Sequence, residues 1–199
     1  MPSTPEQPIR ITLRGQSAGP SSADAILRAT ESGGGEGGNR SGGGRDAVLS
    51  MYVHVPFCFH KCHYCDFYSF VDTNDRQGDF VDALILELNA IADSEERAGH
   101  TPALDTLFVG GGTPTLLALD QWERLGGALR GRFAITDRTE WTVECNPETA
   151  TPELMALLAG IGVNRLSVGA QTFHPDHLRT LERWHEPRNV EKALDLARD

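Results

Sequence analysis

The sequence predicts an α/β fold, a parallel sheet built from about four strand–helix units, and three observations carry that prediction. From Met51 onward the apolar residues switch repeatedly between strand-like runs and helical spacing. Glycine and proline punctuate the switches. The chemically unusual residues fall just after the strand-like runs, where parallel sheets bind ligands.

The elements follow in order. Tyr52-Val53-His54-Val55 reads as a short strand, followed by a cysteine-bearing loop; Phe80, Leu84, Leu88 and Ile91 then recur at helical spacing. Thr106 to Val109 is a buried-strand run ending in Gly110-Gly111-Gly112, and Asp120 to Phe133 is the next helix. Trp141-Thr142-Val143 makes a third strand. Thr151-Pro152-Glu153 starts a helix with proline in its first turn, and the apolar run from Leu154 to Ile161 stops at Gly162. Arg165 to Val168 is a fourth strand, with helical segments from Pro175 and again from Asn189. Such alternation fits either an open doubly wound sheet or part of a β/α barrel. Both put ligands at the carboxyl ends of the strands, where the cysteine loop, Gly110-Gly111-Gly112-Thr113-Pro114, Glu144-Cys145-Asn146-Pro147 and Gly169-Ala170-Gln171 all lie.

Residues 1–50 differ in kind. Ser32 to Arg45 is glycine-rich with no apolar side chain to bury, so a disordered N-terminal extension is expected over 1–50, with the N-terminal part of a core domain over 51–199. A phosphate-binding loop is the sharper alternative, but no strand precedes the tract and no Gly-Lys-Ser/Thr follows it. Translation starting at or near Met51 is a further expectation. A net charge of −10 argues against nucleic acid or anionic lipid as a partner. No apolar run suits a transmembrane segment. The N-terminus lacks the order of a secretory signal, and its balanced charges do not suit a transit peptide. A cytoplasmic location is expected, and in that reducing compartment clustered cysteines bind metal or do redox chemistry.

Cys58, Cys62 and Cys65 are spaced C-x3-C-x2-C. Zinc would need a fourth ligand such as His60 or His63, both of which lie between the cysteines, where a compact loop turns an imidazole inward with difficulty. A [4Fe–4S] cluster held by three thiolates instead leaves one iron open, so the missing ligand becomes the reason for the motif.

That spacing after a first strand resembles the cluster motif of radical S-adenosylmethionine (SAM) enzymes. The blocks YVHVPFC, CHYCDFYS, FVGGGTPTLL, ECNPET, GVNRLSVGAQTF and LERWH resemble the oxygen-independent coproporphyrinogen III oxidase family, from Met51 to the end. The resemblance implies a partial radical-SAM (β/α) barrel. It implies that Cys58, Cys62 and Cys65 hold the cluster, that S-adenosyl-L-methionine chelates the open iron, and that an electron donor drives its cleavage to a 5′-deoxyadenosyl radical. By the same resemblance Tyr52 lies beside SAM, Tyr64 packs on adenine, and Gly111, Gly112 and Thr113 present backbone groups to SAM. Glu144, Gln171 and Arg183 match further SAM-contacting positions, Arg183 suiting a carboxylate through its planar fork. No catalytic residue is assigned. Cys145 and His54 read as packed rather than liganding.

The oxidases proper carry a further cysteine two residues after the third, where this chain has Phe67. That departure, the CDFYS wording and Arg183-Trp184-His185 resemble the HemW branch, the heme chaperones, which bind heme and deliver it to respiratory proteins. A heme chaperone is therefore the expected function. The alternatives are an oxidase acting on coproporphyrinogen III and an inert truncated product or zinc domain. Members of the family are much longer than 51–199, and Asp199 falls in a helical pattern. A fragment with an unclosed barrel is expected, with heme held only by the full-length protein.

Overall fold

The computed structural model describes residues 12–13 and 48–198. Its elements are β1 (Thr12–Leu13), β2 (Val48–Val55), β3 (Phe57–Cys58), β4 (Phe70–Val71), α1 (Gln77–Arg97), β5 (Ala103–Gly111), α2 (Leu119–Arg132), β6 (Glu140–Cys145), α3 (Pro152–Ile161), β7 (Arg165–Val168), α4 (Pro175–Thr180) and α5 (Pro187–Arg198). One sheet runs β1-β2-β5-β6-β7, and a small second one pairs β3 with β4. The strands β2, β5, β6 and β7 are parallel neighbours in chain order. An open doubly wound sheet reverses its strand order at a switch point, so this consecutive order selects the partial β/α barrel.

The expected strand at Tyr52 begins earlier, at Val48, because Val48, Leu49 and Ser50 pair with Ala103, Leu104 and Thr106. The register skips Asp105, a bulge at the strand's start. Thr12 and Leu13 add an antiparallel edge beside Tyr52 and Met51. The rest of the glycine-rich extension lies outside the described residues.

Local chemistry explains the helix ends. Thr151 Oγ1 accepts from Leu154 N at 3.2 Å and Pro152 opens α3, which stops at Gly162 with φ 103°. No Ser or Thr caps α2, but Gln121 Oε1 reaches back to accept from Ala118 N at 2.9 Å. Ahead of α1, Asp72 accepts from Asn74 N at 3.1 Å and Arg76 N at 2.6 Å.

Strand alternation divides the sheet into two faces. Val53, Val109, Val143 and Leu166 align across the four parallel strands. They pack with Val81, Leu84 and Leu88 of α1, Trp122, Leu125 and Leu129 of α2, and Leu154 and Leu158 of α3 in one apolar core. Tyr52, Phe108, Thr142 and Arg165 align on the opposite face. Among the described residues no helix is long and apolar enough to cross a membrane.

Candidate functional site

Cys58 is the last residue of β3, whose pairing with β4 pinches the base of the loop that carries Cys62 and Cys65. Phe57 anchors that base in the core through edge-on contacts with Phe70 and Phe80. Within the loop Cys65 N donates to Cys62 O at 3.0 Å, and Lys61 Nζ donates to Phe67 O at 2.6 Å and Ser69 Oγ at 3.0 Å. A loop whose aromatics Phe59, Phe67 and Tyr68 stay exposed is thus held by polar staples.

The glycine loop after β5 lies directly on this base. Gly112 N donates to Val55 O and Thr113 N to Phe57 O, each at 2.7 Å. A Cβ on Gly112 would stand 2.5 Å from Phe57 O, so only glycine lets the two backbones meet. Gly111 has φ 111° and donates its N–H to Glu144 Oε2 at 2.9 Å, which ties the ends of β5 and β6 together. Thr113 Oγ1 stands 3.8 Å from Cys58 Sγ, bringing the second loop to the first thiol.

All four loops open on one cavity of about 790 Å³. Cys58, Cys62, Cys65, Tyr64, Gly111, Gly112, Thr113, Glu144, Gln171 and Arg183 line it. Tyr52 does not. It sits deeper on the sheet face that also carries Glu144, hydrogen-bonded to His54 Nδ1 at 3.1 Å and stacked on Phe108, while burial and the Glu144 charge raise its phenol pKa. His54 also engages Tyr68 O through Nε2 at 2.7 Å. Burial also raises the Tyr64 phenol, and the neighbouring Cys62 and Cys65 push the same way against the lowering pull of Arg183.

The three thiols of the loop are free, as is Cys145. Among the described residues no three His, Cys, Asp or Glu side chains converge as ligands of a single ion. A cubane cluster asks for something different, one thiolate on each of three irons. Three free thiols on one cavity wall, beside a glycine cradle that a Cβ would fill, fit that demand.

Three lining residues were given no role in the site by the sequence. Glu182, at φ 52°, joins His60 Nε2 at 3.2 Å and His63 Nδ1 at 3.1 Å, and hydrogen bonds from His63 and His60 hold its carboxyl below the usual range. Glu148 Oε1 accepts from Glu186 N and Asn189 Nδ2. His185 is buried in the cavity wall. The LERWH block was the available signal for Glu182 and His185, but only tertiary packing distinguishes buried His185 from its exposed neighbour Trp184.

A parallel β/α barrel segment with a thiol-lined cavity at the carboxyl ends of its strands is the class of protein these observations define. Residues 52–199 match the radical SAM superfamily, and the chain belongs to it. It is similar to the heme chaperone HemW of Bacillus subtilis (strain 168), 38% identical over 76% of this chain and 39% of that protein. The heme chaperone HemW of Escherichia coli (strain K12) is 36% identical over 75% of this chain and 39% of that protein. Among solved structures it is similar to the coproporphyrinogen III oxidase HemN from Escherichia coli, described as a radical SAM enzyme. That match has a TM-score of 0.67 and 31% identity, covering 76% of this chain and 34% of that one. The chain spans about two fifths of the length of the curated relatives it matches.

Proposed function

We propose that this chain forms the cluster- and SAM-binding part of a HemW-like heme chaperone. The observation that carries the reading is the meeting of Cys58, Cys62 and Cys65 with the glycine loop, Glu144, Gln171 and Arg183 on one cavity. Cys58, Cys62 and Cys65 would hold a [4Fe–4S] cluster, Gly111, Gly112 and Thr113 would offer backbone groups to SAM, and Tyr64 would cover its adenine. Glu144, already bonded to Gly111 N, would be a fixed acceptor, and Arg183 would meet the SAM carboxylate. The cluster, when bound, supplies the electron that cleaves the sulfonium bond of SAM. Tyr52, on the same sheet face as Glu144, would lie beside SAM at the floor of the site.

The chaperone assignment rests on the similarity to the HemW proteins and on Phe67 standing two residues after the third cysteine. The oxidase reading is favoured by the likeness to HemN. Heme, an electron donor and heme-recipient respiratory proteins are the partners in the first reading, coproporphyrinogen III in the second, both in the reducing cytoplasm. The test uses the full-length protein with reconstituted cluster, under anaerobic reducing conditions with SAM. Stable heme retention without porphyrinogen decarboxylation is the expected result. Robust turnover of coproporphyrinogen III would replace the chaperone reading by the oxidase one.

A further inference from the structure

Five side-chain nitrogens among the described residues are sealed from solvent with no hydrogen-bond partner. Three of them belong to two residues in the wall of the cavity: Nε of Arg183, and Nδ1 and Nε2 of His185. His185 is 4% exposed. A buried polar group without a partner is costly, and most such groups in folded proteins are satisfied. Two orphaned side chains in one wall therefore ask what completes them.

Both are held over adjacent residues at the end of β7. Arg183 Nη2 donates to Gly169 O at 2.7 Å, which fixes its guanidinium plane and leaves Nε free. His185 stands near the backbone of Ala170, without the geometry of a hydrogen bond. Burial, and then the charge of Arg183, lower the imidazole pKa, against weaker raising pulls from Ala170 and Glu148. A neutral ring offers one donor and one acceptor.

The geometry points to Arg183 and His185 as one two-pronged subsite for the carboxylate end of SAM, with His185 as a binding residue beside the arginine. The inference rests on the proposed SAM site. A guanidinium alone can take a carboxylate, but with Nη2 committed to Gly169 the arginine presents fewer free donors. An N–H of His185 supplies a further one to the same anion.

The experiment is a binding cycle on the full chain with anaerobically reconstituted cluster. SAM is compared with decarboxylated SAM, which keeps the nucleoside and sulfonium and lacks the carboxylate. His185→Phe is expected to weaken SAM binding about tenfold or more, as loss of a hydrogen bond to a charged group does. Iron content should be unchanged, and affinity for decarboxylated SAM should not fall further. His185→Gln, which keeps a donor and an acceptor, should recover most of the loss. Unchanged SAM affinity in His185→Phe, equal losses for both ligands, or loss of the cluster would each overturn the inference. Failure of the unmodified chain to bind SAM would instead overturn the SAM reading of the cavity, and the subsite with it.

Discussion

Cys58 and Cys145 bring the same thiol to the same cavity and differ in what surrounds it. Cys145 is 3% exposed, burial pushes its thiol up to about 11, and its Sγ donates to Asn146 O at 3.3 Å. A thiol kept protonated at neutral pH is a poor metal ligand. The cysteine loop is held by its own polar staples and by Thr113, with Cys58 and Cys65 partly open to solvent. Replacing Cys58, Cys62 or Cys65 by Ala is expected to abolish the cluster's visible absorbance and most bound iron, whereas Cys145→Ala leaves both in place. Native iron content in any of the first three variants would defeat the ligand assignment. These thiols were legible in the sequence because ligand spacing is local. The orphaned nitrogens of His185 were not, since the lack of a partner is a property of packing.

At the scale of elements, punctuation was legible and pairing was not. Thr151, Pro152 and Gly162 bound α3 as their chemistry predicts, and Arg165–Val168 is the expected strand. Val48 and Leu49 gave no signal beside the glycine tract, because what makes them strand is Ala103 and Leu104, far along the chain. The entry to α1 is a further case. Asp72, its side chain 3% exposed, would be raised by burial, but hydrogen bonds from Asn74 N, Arg76 N and the Arg76 guanidinium outweigh that and hold its carboxyl low. Asp72→Ala should cost about 2 kcal/mol at neutral pH, within the range for hydrogen bonds to a charged group. A carboxyl lowered on folding contributes above its unfolded pKa of about 3.9. The contribution is lost as pH falls through the folded value, because the protonated form no longer accepts these bonds equally well. Urea unfolding of both chains over a pH series should show the gap closing on acidification. A gap that stays constant down to the acid limit would mean that packing, not the carboxylate, is what Asp72 provides.

Across the whole molecule, the consecutive strand order makes β2 the inner rail of the site: its carboxyl end receives the glycine loop through Val55 O, and its amino end pairs with the start of β5. Local pattern could not separate a barrel segment from a doubly wound sheet, because both share the same alternation and differ only in which strands pair. The pairing also sets how much of the N-terminal region the site requires. A chain beginning at Val48 keeps the whole ladder with β5, whereas one beginning at Met51 loses the pairings of Val48, Leu49 and Ser50 with Ala103, Leu104 and Thr106. Those residues stand at the far end of the strand from Cys58, so both shortened chains should assemble the cluster and bind SAM. Stability should separate them. Net backbone hydrogen bonds are worth about 0.5–1.5 kcal/mol each, so the Met51 chain should unfold at lower urea, by roughly 1–3 kcal/mol in total. Equal midpoints for the two chains would show that this end of the ladder contributes nothing. Loss of cluster assembly in the Val48 chain would show instead that residues before it support the site.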